Sequence, residues 1–293
     1  MFKRFGLAVL VLLMCAAVPG WAQEAPPDTL EAWQYDLRGK FNASQAAYNN
    51  WQEGGLNSLQ LSTTLDGAAR KEGEHWIQTH KTRLAYGLLQ QDTLDVRKSE
   101  DLIRMESTLR YQGNHFFRVF NPTLAAGLRT QFAEGFNYDS DPLDRGQDPP
   151  VKTSDFFSPA TFTESIGLTY EADSWFSQRL SFASKQTIVL IDRLRPLYGV
   201  DPDGPVRLEA GAESVTTFDR NIFENVRLQS SLNLFLAFNQ PGQPDMIWEN
   251  LITMQVNSWM NVDLEFVAVY NEDISSAVQI KEVLSVGVVI DII

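Results

Sequence analysis

Cysteine is all but missing, since Cys15 is the only one in 293 residues and it falls in the first 22. That segment reads as a basic head (Lys3, Arg4), an apolar stretch over 5–18 and a small-residue end, Pro19-Gly20-Trp21-Ala22. It has the form of a secretory signal cut after Ala22. A lipid-carrying signal centred on Cys15 is the alternative, disfavoured because Met14 is larger than the residue such a site takes before its cysteine. A mature chain without cysteine has no disulfide, no zinc-thiolate site and no thiol nucleophile. Histidine is scarce too, at positions 75, 80 and 115 only. Positive charge is in deficit: 24 basic residues face 37 acidic ones, and removal of Lys3 and Arg4 takes the net charge from −13 to −15. Nucleic acid is thereby excluded as a partner, because binding phosphates calls for a basic surface. Beyond the signal no run approaches the roughly 18 apolar residues of a membrane-crossing helix. A membrane protein built without such helices has to be a closed barrel, since lipid cannot satisfy bare backbone N–H and C=O groups.

What is present is a period of two. Over 225–239, Val226, Leu228, Leu232, Leu234 and Leu236 alternate with Arg227, Gln229, Ser231 and Asn233. Over 103–112, Ile103, Met105, Leu109 and Tyr111 alternate with Arg104, Glu106, Thr108 and Arg110. At the end of the chain Leu284, Val286, Val288, Ile290 and Ile292 alternate with Lys281, Ser285, Gly287 and Asp291. Side chains switch faces at each residue only along a strand. Less contrasted strands are predicted over 33–44, 56–70, 76–89, 116–131, 162–172, 175–190, 206–218 and 262–270, which with one more before residue 258 makes about twelve. In 76–89, His80 and Gln78 share a face with Leu84 and Tyr86, so either a bulge shifts the register or that face is not wholly apolar. Pro122 suggests another bulge in 116–131, because it cannot donate a ladder hydrogen bond.

The connections alternate in length. Short ones fall at 71–73, 112–114, 171–174, 219–221 and 258–260, and long ones at 46–55, 90–100, 132–159, 192–205, 239–245 and 271–278. This is the order of a transmembrane antiparallel β-barrel with short periplasmic turns, long outer loops and both termini periplasmic. Aromatic residues cluster near the short turns (Trp76, Tyr111, Phe116, Tyr170, Trp175, Phe223, Trp259) and near the long loops (Tyr86, Phe136, Tyr138, Phe238, Trp248, Tyr270). Two belts are expected where rings meet lipid headgroups; a soluble β-sandwich capped by the same rings is the alternative. The predicted organisation is a signal (1–22), a periplasmic lead-in (23–32) and one all-β outer-membrane barrel domain (33–293) in a Gram-negative envelope.

Several strings resemble those of an uncharacterised outer-membrane barrel family, DUF3078 (domain of unknown function 3078). They are Phe41-Asn42-Ala43-Ser44-Gln45 leading to Trp51 and Gly54-Gly55-Leu56-Asn57-Ser58, then Thr130-Gln131-Phe132 with Gly135, and Phe157-Ser158-Pro159-Ala160. Near the end come Ile247-Trp248, Tyr270-Asn271-Glu272-Asp273-Ile274 and Gln279-Ile280-Lys281-Glu282. The resemblance implies a single outer-membrane barrel and brings no activity with it.

The polar faces carry Arg38, Lys40, Arg70, Lys81, Arg83, Arg104, Arg110, Arg129, Arg179, Lys185, Arg207, Arg227 and Lys281 against Asp36, Asp66, Glu106, Glu171, Glu209, Glu213, Asp263, Glu265 and Asp291. An acidic chain is therefore predicted to have a slightly basic lumen, lined by Arg38, Lys40, Lys81, Arg83, Arg104, Glu106, Arg110, Arg129, Arg179, Lys185, Arg207, Glu209, Arg227, Asp263, Glu265 and Lys281. Rings of Arg and Lys ease the passage of anions. The same residues also suit an interior knitted shut by ion pairs, since twelve strands lie between filled barrels and wide porins. The acid surplus falls in the loops, at Asp139, Asp141, Asp144, Asp148, Asp155, Asp201 and Asp203, without calcium-loop spacing. No histidine falls on an outward face near the long loops, where a Ser-His pair acting on lipid belongs. The expectation is a non-enzymatic pore or transport-associated barrel for small polar or anionic solutes, or else a sealed structural or binding barrel whose acidic loops meet partners. Its expected partners are outer-membrane lipid, the barrel insertion machinery and small solutes, with no cofactor and no metal.

Overall fold

A computed structural model describes residues 32–48 and 56–292; the expected signal and all but the last residue of the lead-in lie outside them. The strands are β1 (Gln34–Ala46), β2 (Ser58–Glu72), β3 (Trp76–Gln91), β4 (Arg97–Tyr111), β5 (Phe120–Thr130), β6 (Gly135–Asn137), β7 (Val151–Ser154), β8 (Ala160–Asp173), β9 (Phe176–Ile188), β10 (Val206–Phe223), β11 (Val226–Ala237), β12 (Asp245–Gln255), β13 (Met260–Asn271) and β14 (Ser275–Asp291). Twelve of them close into one barrel in the order β1-β14-β13-β12-β11-β10-β9-β8-β5-β4-β3-β2, while β6 and β7 form a separate hairpin. Closure is made by β1 against β14, from Arg38 opposite Asp291 to Ala43 opposite Val286. A single sheet closed on itself leaves no bare edge. It also excludes the two-sheet sandwich.

Facing residues in an antiparallel ladder share a side of the sheet. Leu232 therefore stands with Trp248 and Leu234 with Met246 on one side, and Ser231 with Glu249 and Asn233 with Ile247 on the other. The first side is an apolar belt on which Phe182, Leu208, Ile280 and Ile290 remain 63–70% exposed. A continuous apolar surface of that extent is unstable in water and matched by hydrocarbon. The chain is an outer-membrane β-barrel, and no helix in the described residues is long and apolar enough to cross a membrane. Aromatic contacts rim the belt at both edges: Trp76 with Tyr111 (5.1 Å) and Phe120 with Tyr170 (5.8 Å) beside the short turns, Phe182 with Phe238 (6.3 Å) and Trp248 with Phe266 (5.7 Å) towards the other end.

The alternation of connection lengths holds with exceptions. The connection expected at 112–114 runs over 112–119 and includes a helical turn, α1 (Phe116–Val119), so β5 starts at Phe120 instead of 116. The turn expected at 219–221 lies at 224–225, because the β10–β11 ladder continues to Phe223 opposite Val226. The last long connection shrinks to 272–274, since Asn271 pairs with Ser275 and β14 begins well before 280. Pro122 causes no bulge: it pairs with Leu168 in an unbroken β5–β8 register, and the β4 ladder begins only at Thr123. At the end of a ladder a missing N–H is tolerated. His80 is not displaced either, because the β2–β3 register is continuous; it shares the outer face with Ser107, whose Oγ lies 2.8 Å from its Nδ1, so this part of the belt is polar.

Outside the barrel the long β5–β8 and β9–β10 connections pack together as a lobe. Val189, Leu194 and Val200 form its small apolar core, with Ile191, Leu197 and Tyr198 against it. A 3-10 helix, Asp192–Tyr198, ends at Gly199, whose φ of 61° suits glycine. Fully buried Ser158 accepts the N–H groups of Leu190 (3.0 Å) and Ile191 (3.3 Å), tying the two connections together. Tyr198 donates its hydroxyl to the Thr153 carbonyl at 2.9 Å, and burial pushes its pKa up to about 12.

Candidate functional site

The side of the wall opposite the belt encloses two large cavities. One, of about 990 Å³, is bordered by Ser99, Glu100 and Gln279 towards the long loops and by Asp173, Trp175 and Asp219 at the short turns, so it runs along the height of the barrel. The other, of about 390 Å³, is rich in hydroxyls, among them Thr79, Thr108, Thr123, Thr163, Ser165 and Thr169. A third, of about 30 Å³, lies between Lys40, Asp66, Arg83, Asp263 and Glu265. None of the residues bordering these three comes from 132–159. Asp101 anchors the start of that loop by accepting the N–H groups of Phe132 (2.7 Å) and Ala133 (3.0 Å).

Of the sixteen expected lumen residues, Lys40, Lys81, Arg83, Arg104, Glu106, Arg110, Arg129, Arg179, Asp263, Glu265 and Lys281 border these cavities. The remaining five do not border them directly, although Arg227 stands behind Asp219, which does. Arg38 pairs with Asp291 at 2.7 Å on an exposed rim, and Arg227 takes both oxygens of Asp219 at 2.6 and 2.7 Å. Lys185, Arg207 and Glu209 form a cluster with Asp245 and Asp273 towards the outer lobe.

Charges inside are sorted by wall. Among residues bordering the two large cavities, β2 to β5 supply Arg70, Lys81, Arg83, Arg104, Arg110 and Arg129 against Glu100, Asp101 and Glu106. Strands β10 to β13 supply Glu213, Asp219, Glu249 and Glu265 to that border; Arg179 on β9, Arg227 on β11 and Lys281 on β14 pair with Glu213, Asp219 and Glu265, so Glu249 is the one whose basic partners come from the opposite wall. Ion pairs join the two walls. Arg104 on β4 bonds Glu249 on β12, and Arg129 on β5 reaches the other oxygen of the same carboxylate at 3.3 Å. From β4, β12 is reached past β5, β8, β9, β10 and β11 one way and past β3, β2, β1, β14 and β13 the other, so Arg104 and Glu249 lie on opposite sides of the barrel. Lys281 likewise holds Glu265 at 2.9 Å and lies 3.6 Å from Glu100 on β4. Shorter links complete the set: Lys40 with Asp263 (3.1 Å), Arg179 with Glu213 (3.1 Å), and Arg110 with Glu171. Lys81 has no carboxylate within ion-pair distance among the described residues, as Glu106 opposite it in the β3–β4 ladder turns to Arg104 at 3.6 Å.

Glu249, where the two basic side chains meet, is absent from the sequence-derived site. Strand β12 alternates Met246, Trp248, Ile252 and Met254 with Asp245, Glu249, Thr253 and Gln255, so parity points the carboxylate inward, but Ile247 and Leu251 on either side of Glu249 blur that contrast. The histidines are dispersed: His75 lies in the β2–β3 turn, His115 precedes α1, and His80 faces outward. No group of three His, Cys, Asp or Glu among the described residues is placed to hold a metal ion. The loop carboxylates serve their own backbone instead. Asp141 accepts N–H groups from Gln147 (3.1 Å), Leu143 (3.1 Å) and Arg145 (2.7 Å), which lowers its pKa, and Asp201 accepts one from Asp203 at 2.8 Å.

Solved structures of similar architecture include the translocator domain of the autotransporter NalP from Neisseria meningitidis, with 8% identity, 90% of this chain and 89% of that chain covered, and a TM-score of 0.37. The COG4313 outer membrane channel from Pseudomonas putida F1 shows 10% identity, coverage of 91% and 98%, and a TM-score of 0.39. For Salmonella typhi OmpF, in complex with daunomycin, the values are 10%, 89% and 98%, and 0.29. At such scores the likeness is that of one barrel to another. No curated protein matches the chain. Residues 43–136 match the family model described as a protein of unknown function (DUF3078), the family that its sequence strings resemble.

Proposed function

We propose that this barrel is a passive pore or transport-associated barrel of the outer membrane for small polar solutes, anions among them. The observation that carries this reading is the cavity of about 990 Å³ that reaches from the long-loop end to the short turns. A filled structural barrel would pack that volume with side chains. The five basic groups on the β2 to β5 part of its border, Arg70, Lys81, Arg83, Arg104 and Arg129, support the entry of solutes bearing negative charge. Planar-bilayer recording of the refolded protein tests it: discrete conductance steps are expected, and a bilayer as silent as the protein-free control, also after removal of 132–159, overturns it.

One observation favours a sealed binding or structural barrel, namely that Arg104 and Glu249 meet across the full width. On that reading Glu249→Gln leaves the bilayer as silent as the intact chain. On the pore reading it raises conductance, because the bridge is then the obstruction.

A further inference from the structure

We propose that the lumen is a path for small zwitterionic solutes, molecules with a carboxylate and an ammonium group a few bonds apart, and that the Arg104–Glu249 bridge is their docking point. This rests on the pore reading and sharpens it. Oppositely charged walls set a field across the lumen instead of along it. A lone anion gains at the β2 to β5 wall and loses at the β10 to β13 wall; a lone cation does the reverse. Only a dipolar solute gains at both.

The bridge is where this complementarity is most local. Arg104 and Arg129 hold the two oxygens of one carboxylate, Glu249. A solute carboxylate can take the place of Glu249 on the two guanidinium groups while the solute ammonium takes their place on Glu249. Every charge stays paired through that exchange. An anion alone would leave Glu249 bare, and a cation alone would leave Arg129 without a carboxylate and Arg104 with Glu106 alone, at 3.6 Å, which is costly away from bulk water. Lys81, which lacks a carboxylate partner among the described residues, extends the basic side, and Glu265, held by Lys281 at 2.9 Å, stands on the acidic one.

The test is uptake of four labelled probes of similar size, glycine, glycolate, ethanolamine and glycolamide, into phosphatidylcholine vesicles holding the refolded full chain. Glycine is expected to enter about tenfold faster than each of the others, at the low end of what focused fields achieve. In Glu249→Gln that advantage is expected to vanish, with glycolate becoming the fastest probe. Glu265→Gln, which leaves the bridge intact, is expected to reduce the advantage by about half, so the proposal stays testable if the first variant does not fold. Equal entry of all four probes, or a glycine advantage that survives the variants, overturns the inference and leaves the pore standing. Entry of none, in the intact chain and the variants alike, overturns the pore reading and the inference with it.

Discussion

The lumen and the outer lobe dispose of charge in opposite ways. In the lumen, besides neighbours such as Arg227 and Asp219, some partners come from remote parts of the chain: Arg104 and Glu249 are 145 residues apart, Lys40 and Asp263 are 223 apart. In the lobe they are close by, Lys152 with Asp155 three residues on and Asp141 with N–H groups two, four and six residues on. Remote pairs can form only once the barrel has closed, so each acts as a tie across the closed sheet. Local pairs form within a turn and shape one loop without reference to the barrel. The lumen should therefore respond to substitution as a unit, and the lobe piece by piece.

The sharpest way to break that contrast is a pair of glycine substitutions. A Cβ on Gly167 would collide with the Leu180 carbonyl oxygen in the neighbouring strand, whereas one on Gly204 in the lobe meets nothing within 4 Å. Gly167→Val has to open the β8–β9 ladder and is expected to cost more than about 4 kcal/mol, against less than about 0.5 kcal/mol for Gly204→Val. Heat-modifiable mobility on gels reads this directly: the first variant should lack the compact folded band and the second should keep it. Next in size is Glu249→Leu, which strands Arg104 and Arg129 and is expected to cost about 3 kcal/mol in urea unfolding from vesicles. Its lobe counterpart Asp201→Ala loses one exposed bond to the Asp203 N–H and should cost less than about 1 kcal/mol. Equal losses in the two regions would remove the distinction.

This division also governs what could be read in the sequence. Strand number, the two faces of β4, β11 and β14, and the aromatic belts were legible because each depends on parity within one strand. The ends of β10 and β14 were not, since pairing with β11 and β13 carries those strands past the polar residues that resemble turns. Basic lumen residues stood out as charges among apolar neighbours, whereas Glu249 stands between Ile247 and Leu251 on its own face, which blurs the alternation of β12. Nothing local to residue 249 announces a partner at 104. Which charges meet is set by barrel closure and stagger, a property of twelve strands together. The lobe escaped reading for a different reason: Ser158, one serine in a long polar loop, holds two connections together only because 189–205 folds against it.

Smaller effects sharpen the comparison from the lobe side. Ser158→Ala takes its acceptor from the Ile191 N–H and leaves that of Leu190 only the longer contact to the Phe157 carbonyl (3.4 Å), and is expected to destabilise the lobe by about 1 kcal/mol. Limited proteolysis within 132–159 should accelerate while the heat-modifiable band stays put; loss of the band would mean that lobe and barrel form one unit.

The smallest expected effect is that of pH on the β6–β7 hairpin. The Lys152 ammonium, 2.5 Å from Asp155, holds that carboxyl below its usual range, and the hydrogen bonds to Asp155 and Glu134 raise the lysine above its own. A carboxyl whose pKa is lowered by folding stabilises the hairpin above its unfolded value, near 3.9, and that contribution fades as pH falls through the lower folded value. A lysine whose pKa is raised contributes fully below its unfolded value, near 10.4, and loses the contribution as pH climbs through the higher folded one. Amide exchange over residues 151–154, corrected for the intrinsic pH dependence of exchange, should thus show flat protection between these limits and a decline beyond each. In Lys152→Met both declines should disappear together, because one ion pair produces them; persistence of the acid limb would assign it to Asp155 and its own N–H contact with Phe156 instead.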